Sequence, residues 1–167
     1  DIIILKNEDD IEELAFKDVE ICESFINDIS RLWPRWVEDE DRLCMQFIAD
    51  IIKEMNKKGY ITIDDLYNKT ELEIIQLIKN CKDSKIRNAF EFFQNATQKS
   101  IYKGEVENKE IYCINVKGKK RYINPLVKYN NKVERISIVS EKANKNIEDF
   151  LNIKLHTYVG FNFQFEN

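Results

Sequence analysis

In Ile111-Tyr112-Cys113-Ile114-Asn115-Val116-Lys117-Gly118-Lys119-Lys120-Arg121-Tyr122-Ile123-Asn124-Pro125-Leu126-Val127 the apolar residues follow a period near two, interrupted by a lysine-rich stretch around Gly118. That pattern predicts a β-hairpin turning at Gly118, with Ile111 and Cys113 on one arm and Tyr122, Ile123, Leu126 and Val127 on the other. Pro125 marks an edge or a strand end, because it has no N–H for a ladder.

Outward from this stretch, towards the N-terminus, the period is helical. Asp18 is available to cap a helix over 18–33, where Val19, Cys22, Phe25, Ile26, Ile29 and Leu32 recur at three- and four-residue steps and Pro34 ends the run. A second helix is expected from about Glu40 to Lys58, burying Leu43, Phe47, Ile48, Ile51, Ile52 and Met55, with Gly59 as its C-cap. Tyr60 to Ile63 reads as extended, with a short turn opening at Asp64 or Asp65. Thr70-Glu71-Leu72-Glu73 has the form of a capping box ahead of a third helix, and Asp83-Ser84 can cap a fourth that buries Ile86, Ala89, Phe90 and Phe93.

Towards the C-terminus, Val133 to Val139 reads as a strand and Asn144 to Leu151 as a helix. Thr157 to Phe165 alternates, so that Val159, Phe161, Phe163 and Phe165 face a core. The expected fold class is therefore α+β: a mainly helical part over 1–100 with about four helices, then a β-rich part over 101–167 with a small antiparallel sheet and one helix, the two packed as one unit.

The 167 residues, 43% hydrophobic and 34% charged, suit a folded domain with a substantial core. No apolar run approaches the ~20 residues of a membrane span and no signal peptide is present, so a cytoplasmic chain without a membrane partner is expected. The apolar opening Ile2-Ile3-Ile4-Leu5 reads as the middle of a fold, which makes the chain a C-terminal fragment of something longer and leaves self-association into a homo-oligomer open. Cys22, Cys44, Cys81 and Cys113 are dispersed, form no C-x-x-C pair and sit among apolar neighbours; they are expected to be reduced packing residues.

Charge is uneven: residues 1–50 hold fifteen acidic against five basic side chains, whereas 101–140 hold nine basic against four acidic. The second region is the one suited to an anion. Lys119, Lys120 and Arg121, supported by Arg135, are the candidate phosphate-binding residues, arginine for bidentate contact and lysine as a point charge. A lysine-rich edge strand guarding against aggregation is the plainer reading of the same residues. Tyr112, Tyr122, Tyr129 and Tyr158 would also let single-stranded nucleic acid stack nearby.

Catalytic chemistry is harder to place. His156 is the single histidine, and one imidazole cannot hold a metal, so a hydrogen-bonded structural role is expected. Glu38-Asp39-Glu40-Asp41 and Glu8-Asp9-Asp10 lack the ligand pattern of a calcium loop and read as solvated acids, the former favourable to a helix N-terminus. Neither a phosphate-cradling glycine loop nor a nucleophile elbow occurs. No catalytic residue, metal ligand or cofactor site is assigned within the chain.

The helix Asp41-Arg42-Leu43-Cys44-Met45-Gln46-Phe47-Ile48-Ala49-Asp50-Ile51-Ile52, the segment Gly59-Tyr60-Ile61-Thr62-Ile63-Asp64-Asp65-Leu66-Tyr67 and Thr70-Glu71-Leu72-Glu73-Ile74-Ile75 resemble the C-terminal half of HD-superfamily phosphohydrolases of the deoxynucleotide triphosphohydrolase-like group. Lys119-Lys120-Arg121-Tyr122-Ile123-Asn124-Pro125-Leu126-Val127 and Arg135-Ile136-Ser137 complete the resemblance, which runs from about Asp18 to Phe165. The family's chemistry uses a histidine, a His-Asp doublet and a further aspartate to hold metal ions that activate water. No His-Asp doublet occurs here. The resemblance implies a divalent metal held by ligands upstream of Asp1 in a parent protein, or a degenerate member that has lost them. It also implies an upstream HD domain as partner, a phosphate ester such as a nucleotide as substrate, and anion contacts by Lys120, Arg121 and Arg135. The alternative function is a non-enzymatic module that binds nucleic acid or protein through the basic segment 117–135.

Overall fold

The computed structural model describes residues 1–164; the expected inward position of Phe165 lies outside the described residues. The fold is α+β. Strands β1 (Ile2–Lys6) and β2 (Glu12–Phe16) open the chain, followed by α1 (Val19–Ile29), α2 (Asp39–Lys57), α3 (Ile63–Asn68), α4 (Glu71–Lys79) and α5 (Ser84–Asn95). Then come β3 (Ile101–Gly104), β4 (Tyr112–Ile114), β5 (Leu126–Tyr129), β6 (Lys132–Arg135), α6 (Ile136–Val139), α7 (Glu141–Leu151) and β7 (Tyr158–Phe161). No helix among the described residues is long and apolar enough to cross a membrane.

The chain forms two compact units that interleave instead of dividing near residue 100: one holds 1–38 and 119–154, the other 39–118 and 155–164. Strand pairing accounts for this. β5 adds parallel to β2, with Ala15 beside Leu126 and Phe16 beside Val127, and so draws 119–154 to the first strands. β7 lies between β3 and β4 and returns the chain's end to the helical segment.

In the first unit the sheet order is β1-β2-β5-β6. Its interior holds Ala15, Cys22, Ile26, Trp33, Val127, Ile136, Ala143 and Phe150. Asp18 caps α1 by accepting from the Glu20 and Ile21 N–H groups. That helix ends at Ile29, before Pro34, which instead sits in a separate 3₁₀ turn, Trp33–Trp36. The apolar opening is one strand of a hairpin, on which Ile2 and Ile4 share the more exposed face and Ile4 stands opposite the exposed Leu14.

In the second unit Leu43, Phe47, Ile51 and Met55 of α2 meet Ile78 of α4, Ile86, Ala89 and Phe90 of α5, and Val159 and Phe161 of β7. Burying a ring such as Phe47, with centroids 4.8 Å from Tyr112 and 5.0 Å from Phe161, contributes about 1.5–3 kcal/mol. The capping box of Thr70 and Glu73 forms as its spacing dictates, and Asp83 caps α5. A second capping box, Thr62 with Asp65, starts α3 at Ile63, within the stretch read as extended.

The hairpin at Gly118 does not form. β4 pairs with β7, residues 115–125 are irregular, and the actual hairpin joins β5 to β6. Its turn is Asn130-Asn131, with φ of 49° and 62°. Two consecutive positive φ values match the right-handed twist of the arms, and asparagine tolerates them far better than lysine does. The strand expected over 133–139 stops at Arg135, after which Ile136–Val139 turns helical.

Candidate functional site

Two polar arrangements stand out, one in each unit. In the first unit, residues 119–122 follow no regular element, and their side chains separate by role. Lys120 is half-buried and its Nζ donates to the carbonyls of Leu151, at 2.5 Å, and Ile153, at 2.6 Å. These lie at and just beyond the C-terminus of α7, where unpaired carbonyls and the negative end of the helix dipole favour a cation. Lys120 is thus a clamp. Lys119 and Arg121, on either side of it, are exposed and make no hydrogen bond or ion pair among the described residues.

Arg135 is engaged internally. Its guanidinium donates to both carboxylate oxygens of Glu13, at 2.6 and 2.8 Å, and to the Asn124 carbonyl at 3.1 Å. Its hydrogen bond to Arg135, helped by one to Asn7, holds the Glu13 carboxyl below its ordinary pKa. Of the four sequence candidates, Lys120 and Arg135 bond within the fold, whereas Lys119 and Arg121 have no partner among the described residues.

The second arrangement was not legible in sequence. Asp39, read as a solvated acid, is 7% exposed, and Arg42 one turn later is 8% exposed. Arg42 Nη2 donates to Asp39 Oδ1 at 2.5 Å and to the His156 carbonyl at 2.5 Å, while Nη1 donates to the Val116 carbonyl. His156 Nδ1 lies 2.5 Å from Asp39 Oδ2, and the His156 N–H reaches Oδ1 at 3.3 Å. Burial would raise the Asp39 carboxyl, but hydrogen bonds and charge from Arg42 and His156 outweigh it and hold the group below its ordinary value. An ionised carboxylate only accepts, so Nδ1 carries the ring proton when the imidazole is neutral. Only the adjacency of Asp39 and Arg42 on one helix face was available to sequence reasoning; the third member is 117 residues away.

Asp39, Val116 and His156 each lie within two residues of a point where the chain passes from one unit to the other. The cluster therefore ties together, inside the second unit, the three stretches at which the chain enters or leaves it. In such a buried ion pair the cost of desolvation offsets much of the Coulombic attraction. Arg42 Nε is buried without a partner among the described residues.

The open groove of about 380 Å³ beside α4 and α5, lined by residues that include Lys79, Arg87, Asn88 and Glu91, contains no member of the Asp39 cluster. All four cysteines are free thiols, and burial pushes Cys22 up to about 11. Among the described residues no three His, Cys, Asp or Glu side chains gather as metal ligands, so the residues present do not fit the divalent metal that the family resemblance implies. Compared with family models, curated proteins and solved structures, the sequence matches none.

Proposed function

We propose that the chain is the C-terminal portion of a cytoplasmic HD-type phosphohydrolase acting on a phosphate ester, a nucleotide in the simplest case, with metal ligands supplied by sequence outside it. Its own part in that reading is to contact phosphate through Lys119 and Arg121. The observation that carries the proposal is the contrast within 119–121: Lys120 is anchored on α7 while its two neighbours are exposed cations without partners among the described residues. An arginine and a lysine held open in this way can share a polyphosphate, the arginine by paired N–H donors. No catalytic step is assigned to residues of this chain.

The test measures nucleotide hydrolysis with manganese or magnesium by this chain and by a longer protein that includes the preceding sequence, alongside calorimetric binding of tripolyphosphate. Turnover is expected only in the longer protein, and Lys119→Ala and Arg121→Ala are expected to weaken tripolyphosphate binding. Comparable turnover by this chain alone overturns the assignment of the metal ligands. Binding that collapses with salt on single-stranded nucleic acid, with no nucleotide turnover in either protein, favours the non-enzymatic alternative.

A further inference from the structure

Of the three side chains in the Asp39 cluster, the His156 ring is the one that opens to solvent: it is 45% exposed, against 8% for Asp39 and for Arg42. Its two ring nitrogens are therefore unequal. Nδ1 faces inward to Asp39 Oδ2 at 2.5 Å, while the other carboxylate oxygen is taken by Arg42 Nη2 at 2.5 Å and the His156 N–H at 3.3 Å. With the ring proton fixed on Nδ1, the lone pair of the neutral imidazole lies on Nε2, which has no partner among the described residues. A carboxylate on Nδ1 raises the basicity of the opposite nitrogen and balances positive charge that develops on the ring.

The charges attached to the neighbouring residues set what can approach. Glu40, next to Asp39, pairs with Lys103 at 2.6 Å, and Glu105 accepts from Thr157 Oγ1 at 2.5 Å. With Asp39 matched by Arg42, Glu105 is the charge left over among these groups. Its sign repels an anionic electrophile and admits a neutral one.

From this geometry we propose that His156 is a nucleophile toward neutral, activated acyl esters, with Nε2 the attacking atom and Asp39 its positioning residue. The Nε2 lone pair bonds to the acyl carbon as the carbon–oxygen bond to the leaving group breaks, and the leaving group departs with that electron pair. The acyl-imidazolium keeps its Nδ1 proton against the Asp39 carboxylate. Water then attacks the acyl carbon, which returns the imidazole and releases the carboxylic acid and a proton that neutralises the leaving group. The activity does not depend on the contacts assigned to Lys119 and Arg121.

His156 is the single histidine, so any imidazole signal from the whole chain is its own. The test follows carbethoxylation of the ring by diethyl pyrocarbonate at about pH 8, where an ordinary imidazole is neutral, in the parent, Asp39→Asn and free N-acetylhistidine. Release of p-nitrophenolate from p-nitrophenyl acetate is measured for the parent and His156→Gln. The parent ring is expected to react about tenfold faster than N-acetylhistidine, Asp39→Asn to fall back to the free rate, and His156→Gln to turn over the ester about tenfold more slowly than the parent. A merely structural imidazole gives the reverse order, because its partial burial slows attack relative to the free amino acid. Nitrogen-15 NMR of the parent ring is expected to place its proton on Nδ1, a measurement that decides the matter together with the parent rate if Asp39→Asn does not fold. The inference is overturned by a parent rate at or below that of N-acetylhistidine, or by a ring proton on Nε2. It is equally overturned by a folded Asp39→Asn that reacts as fast as the parent, or by equal ester turnover in the parent and His156→Gln.

Discussion

The carboxylate of Asp39 and the imidazole of His156 meet at 2.5 Å although 117 residues separate them along the chain. Asp39 also carries the charge of Arg42, and the two side chains are each only 8% exposed. The pair is asymmetric with respect to mutation. Asp39→Ala leaves a buried guanidinium without its counter-charge and is expected to cost about 3–5 kcal/mol. His156→Ala removes a ring that is 45% exposed and is expected to cost about 1 kcal/mol. Urea denaturation of both variants measures the difference; equal losses would mean that Asp39 is not what balances Arg42.

Acid should reveal the same carboxylate. Asp39 is held below its ordinary value of 3.8 by Arg42 and His156 against the opposing effect of burial. A folded-state pKa below the unfolded one contributes stability that is full above 3.8 and disappears as pH falls through the lowered folded value. The stability gap between the parent and Asp39→Asn is therefore expected to narrow as pH falls below about 4. Denaturation midpoints for the two proteins from pH 7 to pH 3 check it, and a gap that widens in acid would reverse the sign.

Local signals were the legible part of this fold. Asp18, Thr70 with Glu73, and Asp83 each announce a helix within four residues of themselves, and each forms the cap that its spacing implies. The strands were less legible because their partners are remote. Nothing between Ile111 and Val127 reveals that Tyr112 pairs with Phe161 or Leu126 with Ala15 and Arg135. The Asn130-Asn131 turn was available as a signal, whereas the period-two apolar residues on both sides of Gly118 suggest a turn there that their remote partners override. At the candidate sites the difficulty is the same. A charge count cannot separate Lys120, whose acceptors are carbonyls 31 and 33 residues away, from Lys119 and Arg121, which have none.

That separation gives a direct comparison across three consecutive residues. Lys120→Met keeps the apolar stem but removes two hydrogen bonds from a cation to the end of α7, and is expected to cost about 1–2 kcal/mol. Lys119→Ala and Arg121→Ala touch exposed side chains and are expected to stay within about 0.5 kcal/mol of the parent. Thermal melts of the three proteins decide the matter, and a neutral Lys120→Met would return that lysine to the list of free cations.

Two glycines test two different reasons for lacking a side chain. Gly160 lies in β7 between β3 and β4, and a Cβ there would sit 2.6 Å from the Tyr112 carbonyl oxygen, 3.0 Å from Ile111 Cδ1 and 3.3 Å from Cys113 Cα. Two of these are backbone atoms, so the sheet itself would have to yield, and Gly160→Ala is expected to cost about 1–3 kcal/mol. Gly59 has open space around it, but its φ of +73° is a conformation that side chains disfavour, so Gly59→Ala is expected to cost about 1–2 kcal/mol. The remedies distinguish the causes. Asparagine tolerates the left-handed region, so Gly59→Asn should recover much of the loss at that position. No residue larger than glycine relieves the approach at Gly160, and Gly160→Asn should be worse than Gly160→Ala. Chemical denaturation of the four variants separates the two cases, and recovery by asparagine at Gly160 would show that conformation, not the closeness of β4, requires glycine there.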